Sequence, residues 1–179
     1  MGAANETAVS EFILEGFPEL GQRLQLLLSL ILLLMYLTTV TGNATIIFLV
    51  CVDHHLQTPM FFFISNLAFL EICFTSSTSI KLFAILSSDQ KTISLSSCFA
   101  QSYFYFALGG TECILVLVMS FDRCVAICQP LHYAATMQPQ LCLGLVVAAW
   151  VIGFTLLSCH PLFLSQLSFC GSNRIPHFL

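Results

Sequence analysis

Four long apolar runs dominate the chain, at about Leu24 to Val52, Met60 to Leu86, Ser96 to Phe121 and Leu141 to Leu164. Each is long enough to cross a bilayer as a helix, which takes roughly 20 residues. Polar breaks separate them at Asp53-His54-His55-Leu56-Gln57-Thr58-Pro59, Ser87-Ser88-Asp89-Gln90-Lys91 and Gln129-Pro130-Leu131-His132-Tyr133. Pro59, Pro130 and Pro139 fall at run boundaries, where a missing N–H and a fixed φ suit a helix start or stop. The pattern predicts an all-α membrane protein with four transmembrane helices over 24–52, 60–86, 96–121 and 141–164. A polar tail over 1–23 precedes them and a loop over 165–179 follows.

Composition agrees with the bilayer as solvent. Hydrophobic residues make up 58% of the chain and charged residues 8%, too few to clothe a water-soluble domain. The formal net charge of −4 and the confinement of aromatics to apolar runs exclude a nucleic-acid surface. The first 23 residues carry Glu6, Glu11, Glu15 and Glu19 against one Arg, so they lack the basic n-region of a cleaved signal peptide. The first apolar run would itself act as the membrane signal. Of nine cysteines, Cys51, Cys73, Cys113, Cys124, Cys128, Cys142 and Cys159 lie in or beside apolar runs and read as small apolar residues. Cys98 and Cys170 lie near polar loops, where an oxidising compartment matters.

Orientation stays open on physics alone. With the N-terminus outside, Arg23, Lys91 and Arg174 fall on the outer side and Arg123 on the inner, against the usual cytoplasmic excess of basic residues. Asn5-Glu6-Thr7, a glycosylation acceptor on a polar tail, argues the opposite way. The same pattern at Asn43-Ala44-Thr45 sits inside a predicted helix, where modification is not expected.

Two acids, Glu71 and Glu112, occupy the middle of the second and third runs, where an ionised carboxylate costs several kcal/mol. Glu71 lies 11 residues after Met60 and Glu112 lies 11 before Arg123. In antiparallel helices both are then roughly 16 Å from the same membrane face. If they face each other, like charges would make them share a proton or a monovalent cation, with Asn43 completing a polar cluster. The alternative is that each is neutral and hydrogen-bonded to its surroundings. Gly109-Gly110 permits either close helix packing or space for a ligand. Asp122-Arg123 at the end of the third run is adequate for snorkelling to headgroups.

No G-x-S-x-G, H-E-x-x-H or phosphate-binding loop is present, so enzyme chemistry is not expected. Cys124 and Cys128 lack a histidine at ligand spacing, which sets zinc aside. His54-His55 reads as a solvated loop. There is no inverted repeat or pair of broken helices of the kind transporters carry.

Met119-Ser120-Phe121-Asp122-Arg123-Cys124-Val125-Ala126-Ile127-Cys128-Gln129-Pro130-Leu131-His132-Tyr133 resembles the odorant-receptor signature M-A-Y-D-R-Y-V-A-I-C-x-P-L-H-Y. Gly42-Asn43, Leu56-Gln57-Thr58-Pro59-Met60-Phe61-Phe62-Phe63-Ile64-Ser65-Asn66-Leu67, Gly110-Thr111-Glu112 and Leu167-Ser168-Phe169-Cys170-Gly171 fit the same family, so the resemblance covers essentially the whole chain. It implies the first four helices of a rhodopsin-like seven-helix G-protein-coupled receptor in the plasma membrane, N-terminus extracellular. Such a receptor binds small apolar odorants and activates a stimulatory heterotrimeric G protein.

By the family pattern, Asp122 and Arg123 form the G-protein switch, and Tyr105, Phe106, Gly109 and Gly110 line the ligand pocket. Asn43, Glu71 and Glu112 then belong to the central polar or cation cluster, and Asn5 to a glycosylated tail. The pattern also pairs Cys98 with a loop cysteine expected just beyond Leu179, and Cys170 with another residue beyond the chain. Cys124 departs from the usual Tyr, Gln57 from His, and Glu71 stands where many receptors have Asp.

With helices five to seven outside these 179 residues, signalling by the chain alone is not expected. Retention in the endoplasmic reticulum, or a role as a four-helix membrane protein that associates with or retains full-length receptors, is the alternative expectation.

Overall fold

The computed structural model describes residues 11–14, 21–87, 92–156 and 174–175. Four helices long and apolar enough to cross a membrane define the architecture. They are α1 (Gln22–Val52), α2 (Pro59–Ser87), α3 (Leu95–Cys128) and, after a four-residue α4 (Tyr133–Thr136), α5 (Pro139–Leu156). The all-α membrane architecture read from hydropathy is thus what the chain adopts. At 31 and 34 residues, α1 and α3 extend to roughly 45–50 Å, beyond a hydrocarbon core of about 30 Å. Helices of that length accommodate the bilayer by tilting or by projecting past it.

The punctuation is local chemistry. Pro59 and Pro139 occupy the first position of α2 and α5, where the absent N–H costs nothing. The carbonyls of Thr58 and Gln138 accept the first helical bonds, from Phe62 at 3.0 Å and Cys142 at 3.0 Å. Between α1 and α2, Asp53 Oδ1 accepts from the His55 backbone N–H at 2.9 Å and starts a single 3-10 turn over His54–Leu56. Both histidines there are exposed.

The third helix does not stop at the charge pair. It continues through Cys128, and ends where Pro130 disfavours helical backbone at Gln129. The sequence places this pair beside the aqueous boundary, whereas Asp122 is only 1% exposed.

The core lies among α2, α3 and α5, with Phe63 and Leu70 from α2, Leu108, Leu115 and Val118 from α3, and Cys142, Val146 and Ala149 from α5. The α3–α5 seam is closest at Gly153. A Cβ there would collide with the Thr111 hydroxyl, and would sit 2.8 Å from the Thr111 backbone nitrogen and 2.9 Å from its Cα. Thr111 is fully buried and donates to the Ala107 carbonyl at 2.8 Å, so its hydroxyl is satisfied within α3. Small residues let membrane helices approach until backbone packing replaces a hydrophobic driving force. Above this point, Tyr103 donates to the Phe154 carbonyl across the seam at 3.1 Å.

In contrast, α1 buries no residue. It lies against α2, with Tyr36 and Ser76 sharing a 3.3 Å hydrogen bond.

Three short segments pair outside the helices. β1 (Glu11–Leu14) runs antiparallel to β2 (Thr92–Ser94), with Phe12 opposite Ile93, and parallel to β3 (Arg174–Ile175), with Ile13 opposite Arg174. The tail, the α2–α3 connection and the last loop thus meet at one end of the bundle.

Candidate functional site

Two groups of functional side chains hang on α3, one at mid-span and one near its C-terminal end. At mid-span, Glu112 is half-buried and close enough to half-buried Glu71 of α2 for the two carboxyls to interact electrostatically. One turn beyond Glu71, Phe74 meets Tyr105 of α3 with ring centroids 5.0 Å apart. Tyr105, Gly109 and Glu112 fall at i, i+4 and i+7, so they share one stripe of α3. A Cβ placed on Gly109 would meet nothing within 4 Å. The stripe therefore carries an aromatic pair, an open position at Gly109 and an acid pair, in that order along the helix.

The remaining residues singled out in the sequence fall around this stripe. Phe106 is partly exposed and stacks edge-on to Tyr105 at 5.6 Å, and Gly110 is half-buried beside Gly109. Asn43 directs its amide nitrogen to the Thr39 carbonyl of its own helix at 3.1 Å. Among the described residues, no hydrogen bond joins it to either acid. Asn5 and Cys170 lie outside the described residues, as does the side chain of Cys98.

At the other end, Asp122 is buried. Its Oδ1 accepts a 2.8 Å hydrogen bond from the Tyr133 hydroxyl. Among the described residues its Oδ2 has no hydrogen-bond partner, and it lies 3.8 Å from Arg123 Nε. Arg123 is 50% exposed, so the ion pair is loose and the guanidinium is largely free to turn toward solvent. Burial, followed by the hydrogen bond and charge of Asp122, pushes the Tyr133 hydroxyl up to about 12. The phenol therefore stays protonated and keeps donating across the physiological range.

Tyr133 stood in the sequence motif without an assigned role. Its contact depends on α4 folding back beneath α3, which the motif's spacing does not reveal. Phe74 was also missed. It lies three residues after Glu71, so it shares that acid's face of α2, a signal that helical periodicity alone could have supplied.

This arrangement matches a known family. Residues 42–177 match the model of the 7 transmembrane receptor (rhodopsin family), and the chain belongs to that family. Within it the resemblance to odorant receptors holds along the chain. It is 47% identical over 178 residues to Olfactory receptor 6F1 of Homo sapiens, covering 99% of this chain and 58% of that protein. It is 46% identical to Olfactory receptor 6N1 of Homo sapiens, covering 99% of this chain and 56% of the relative. Identity to Olfactory receptor 1f45 of Rattus norvegicus is also 46%, again over 99% of this chain and 56% of the relative. The chain thus spans a little over half the length of these curated relatives. Receptors of this family are not enzymes.

Proposed function

We propose that these four helices belong to an odorant receptor that binds small, largely apolar volatile molecules and activates a stimulatory heterotrimeric G protein. The observation that carries this reading is the division of labour at the end of α3. Asp122 is buried and tied to Tyr133, while Arg123, one residue on, is half-exposed and held only by a 3.8 Å contact. A switch needs two states with different contacts. Here the carboxylate remains fixed, and the arginine is the group that changes partners when a G protein engages.

At mid-span, the open position at Gly109 beside Tyr105, Phe106 and Gly110 forms part of the odorant site, where burial against aromatic walls drives binding. Glu71 and Glu112 share a proton or a monovalent cation beneath it, since two facing carboxylates resist joint ionisation. The protein resides in the plasma membrane with its N-terminus outside, and Asn5 carries glycan. Cys98 and Cys170 find disulfide partners in a complete receptor.

The test is complementation. This chain is co-expressed with helices five to seven of Olfactory receptor 6F1 in cells carrying a cAMP reporter, and an odorant panel is applied. The expected result is odorant-dependent cAMP from the pair, and its loss with Arg123→Ala at unchanged surface level. Surface delivery of the pair without a response to any odorant would sink the receptor reading.

A further inference from the structure

The last turns of α3 carry a feature that neither the ligand stripe nor the Asp122–Arg123 pair uses. Cys124 and Cys128 are both free and exposed, and their sulfurs lie 3.9 Å apart. Residues four apart share a helix face, so the helix itself sets this proximity. Cys128 belongs to the signature that the chain resembles, and Cys124 is the departure from it, where Tyr is usual. Where that signature carries a lone thiol, this chain carries two.

Zinc needs four donors, and among the described residues no group of three or more His, Cys, Asp or Glu side chains is placed to hold a metal. That objection does not reach a soft ion satisfied by two sulfurs. With metal–thiolate bonds of about 2.3 Å, an ion held linearly by two sulfurs alone sets them about 4.6 Å apart. The observed 3.9 Å is about 0.7 Å short of that span, so capture requires side-chain rotations that part the sulfurs. Soft thiolate ligands favour monovalent copper, zinc and iron–sulfur clusters, and of these monovalent copper is the one that two sulfurs alone can satisfy.

We propose that Cys124 and Cys128 form a two-thiol site for Cu(I) across the last turns of α3. Each thiol loses its proton to solvent as its sulfur–copper bond forms. The copper remains monovalent, and no electron changes hands. The bis-thiolate complex carries one negative charge.

The test uses the full 179-residue chain in detergent micelles under anaerobic conditions, titrated with Cu(I) against a competing chelator. One equivalent should be retained, lost with Cys124→Ser and with Cys128→Ser, and kept with Cys51→Ser and Cys113→Ser. Failure to retain any copper, or retention undiminished in both single variants, overturns the site. A second measurement needs no variant: because the free thiolate is the nucleophile, Cu(I) should slow alkylation of the peptide bearing both cysteines by roughly tenfold. Equal labelling with and without copper also overturns it.

Discussion

The middle of α3 and its C-terminal end are held by different physics. At mid-span the helix is held by shape. Thr111 sits against a glycine of α5, its hydroxyl is satisfied within its own helix, and the closeness of the backbones leaves no room for a side chain at Gly153. At the end it is held by a polar contact, the Tyr133 hydroxyl on a buried Asp122 carboxylate. A shape contact has one arrangement and fails abruptly when overfilled. A polar contact can be exchanged for another of similar strength. The middle of the helix is therefore the part least tolerant of added volume, and its end the part that depends on a hydrogen-bond donor.

The comparison breaks most severely at the seam. Gly153→Leu places a branched side chain where even a Cβ collides, and should cost about 3 kcal/mol or more, read as loss of the folded, monodisperse species in detergent. Tyr133→Phe keeps the ring but removes the donor from a buried carboxylate, and should destabilise by about 1.5–3 kcal/mol, read from the thermal midpoint. An unchanged midpoint would mean that Asp122 finds another donor at no cost.

Gly144 sharpens the contrast from the same helix. A Cβ there meets nothing within 4 Å, so Gly144→Ala should raise stability by up to about 1 kcal/mol through helix propensity alone. A drop as large as that from Gly153→Ala would show that glycine content, rather than the Thr111 contact, governs α5.

The smallest effect is invisible at neutral pH. The Tyr133 hydroxyl is raised from its ordinary 10.0 to about 12, so the folded state holds this proton more tightly than the unfolded state does. Its stabilisation is fully present below pH 10 and is lost as pH rises from 10 toward 12. Phenolate absorbance should report one tyrosine titrating near 12, and Asp122→Asn should lower that midpoint by removing the neighbouring charge.

Much of this was legible in the sequence. Hydropathy marked four spans because the cost of exposing a backbone or charge to lipid acts on each residue where it stands. The prolines marked the starts of α2 and α5 for an equally local reason, the missing N–H. Counting residues placed Glu71 and Glu112 at one depth, since helical rise is constant, and the structure brings them within electrostatic reach. The run from Met119 to Tyr133, with Asp122-Arg123 inside it, carried the resemblance to the family.

Local rules failed where a residue's environment comes from another helix. Asp122 was placed beside the aqueous boundary, since it stands at the end of an apolar run. Its burial, with the Tyr133 hydroxyl folded back onto it from α4, comes from the tertiary structure. Gly153 resembled Gly144 in the sequence, and Thr111 alone distinguishes them. Phe74 became the partner of Tyr105 through the packing of α2 on α3. Which residues dissolve in lipid is a property of each side chain, and the sequence determined it. Which side chains meet depends on the rotation and closeness of neighbouring helices, set by contacts between residues far apart in the chain, and only the tertiary structure decided that.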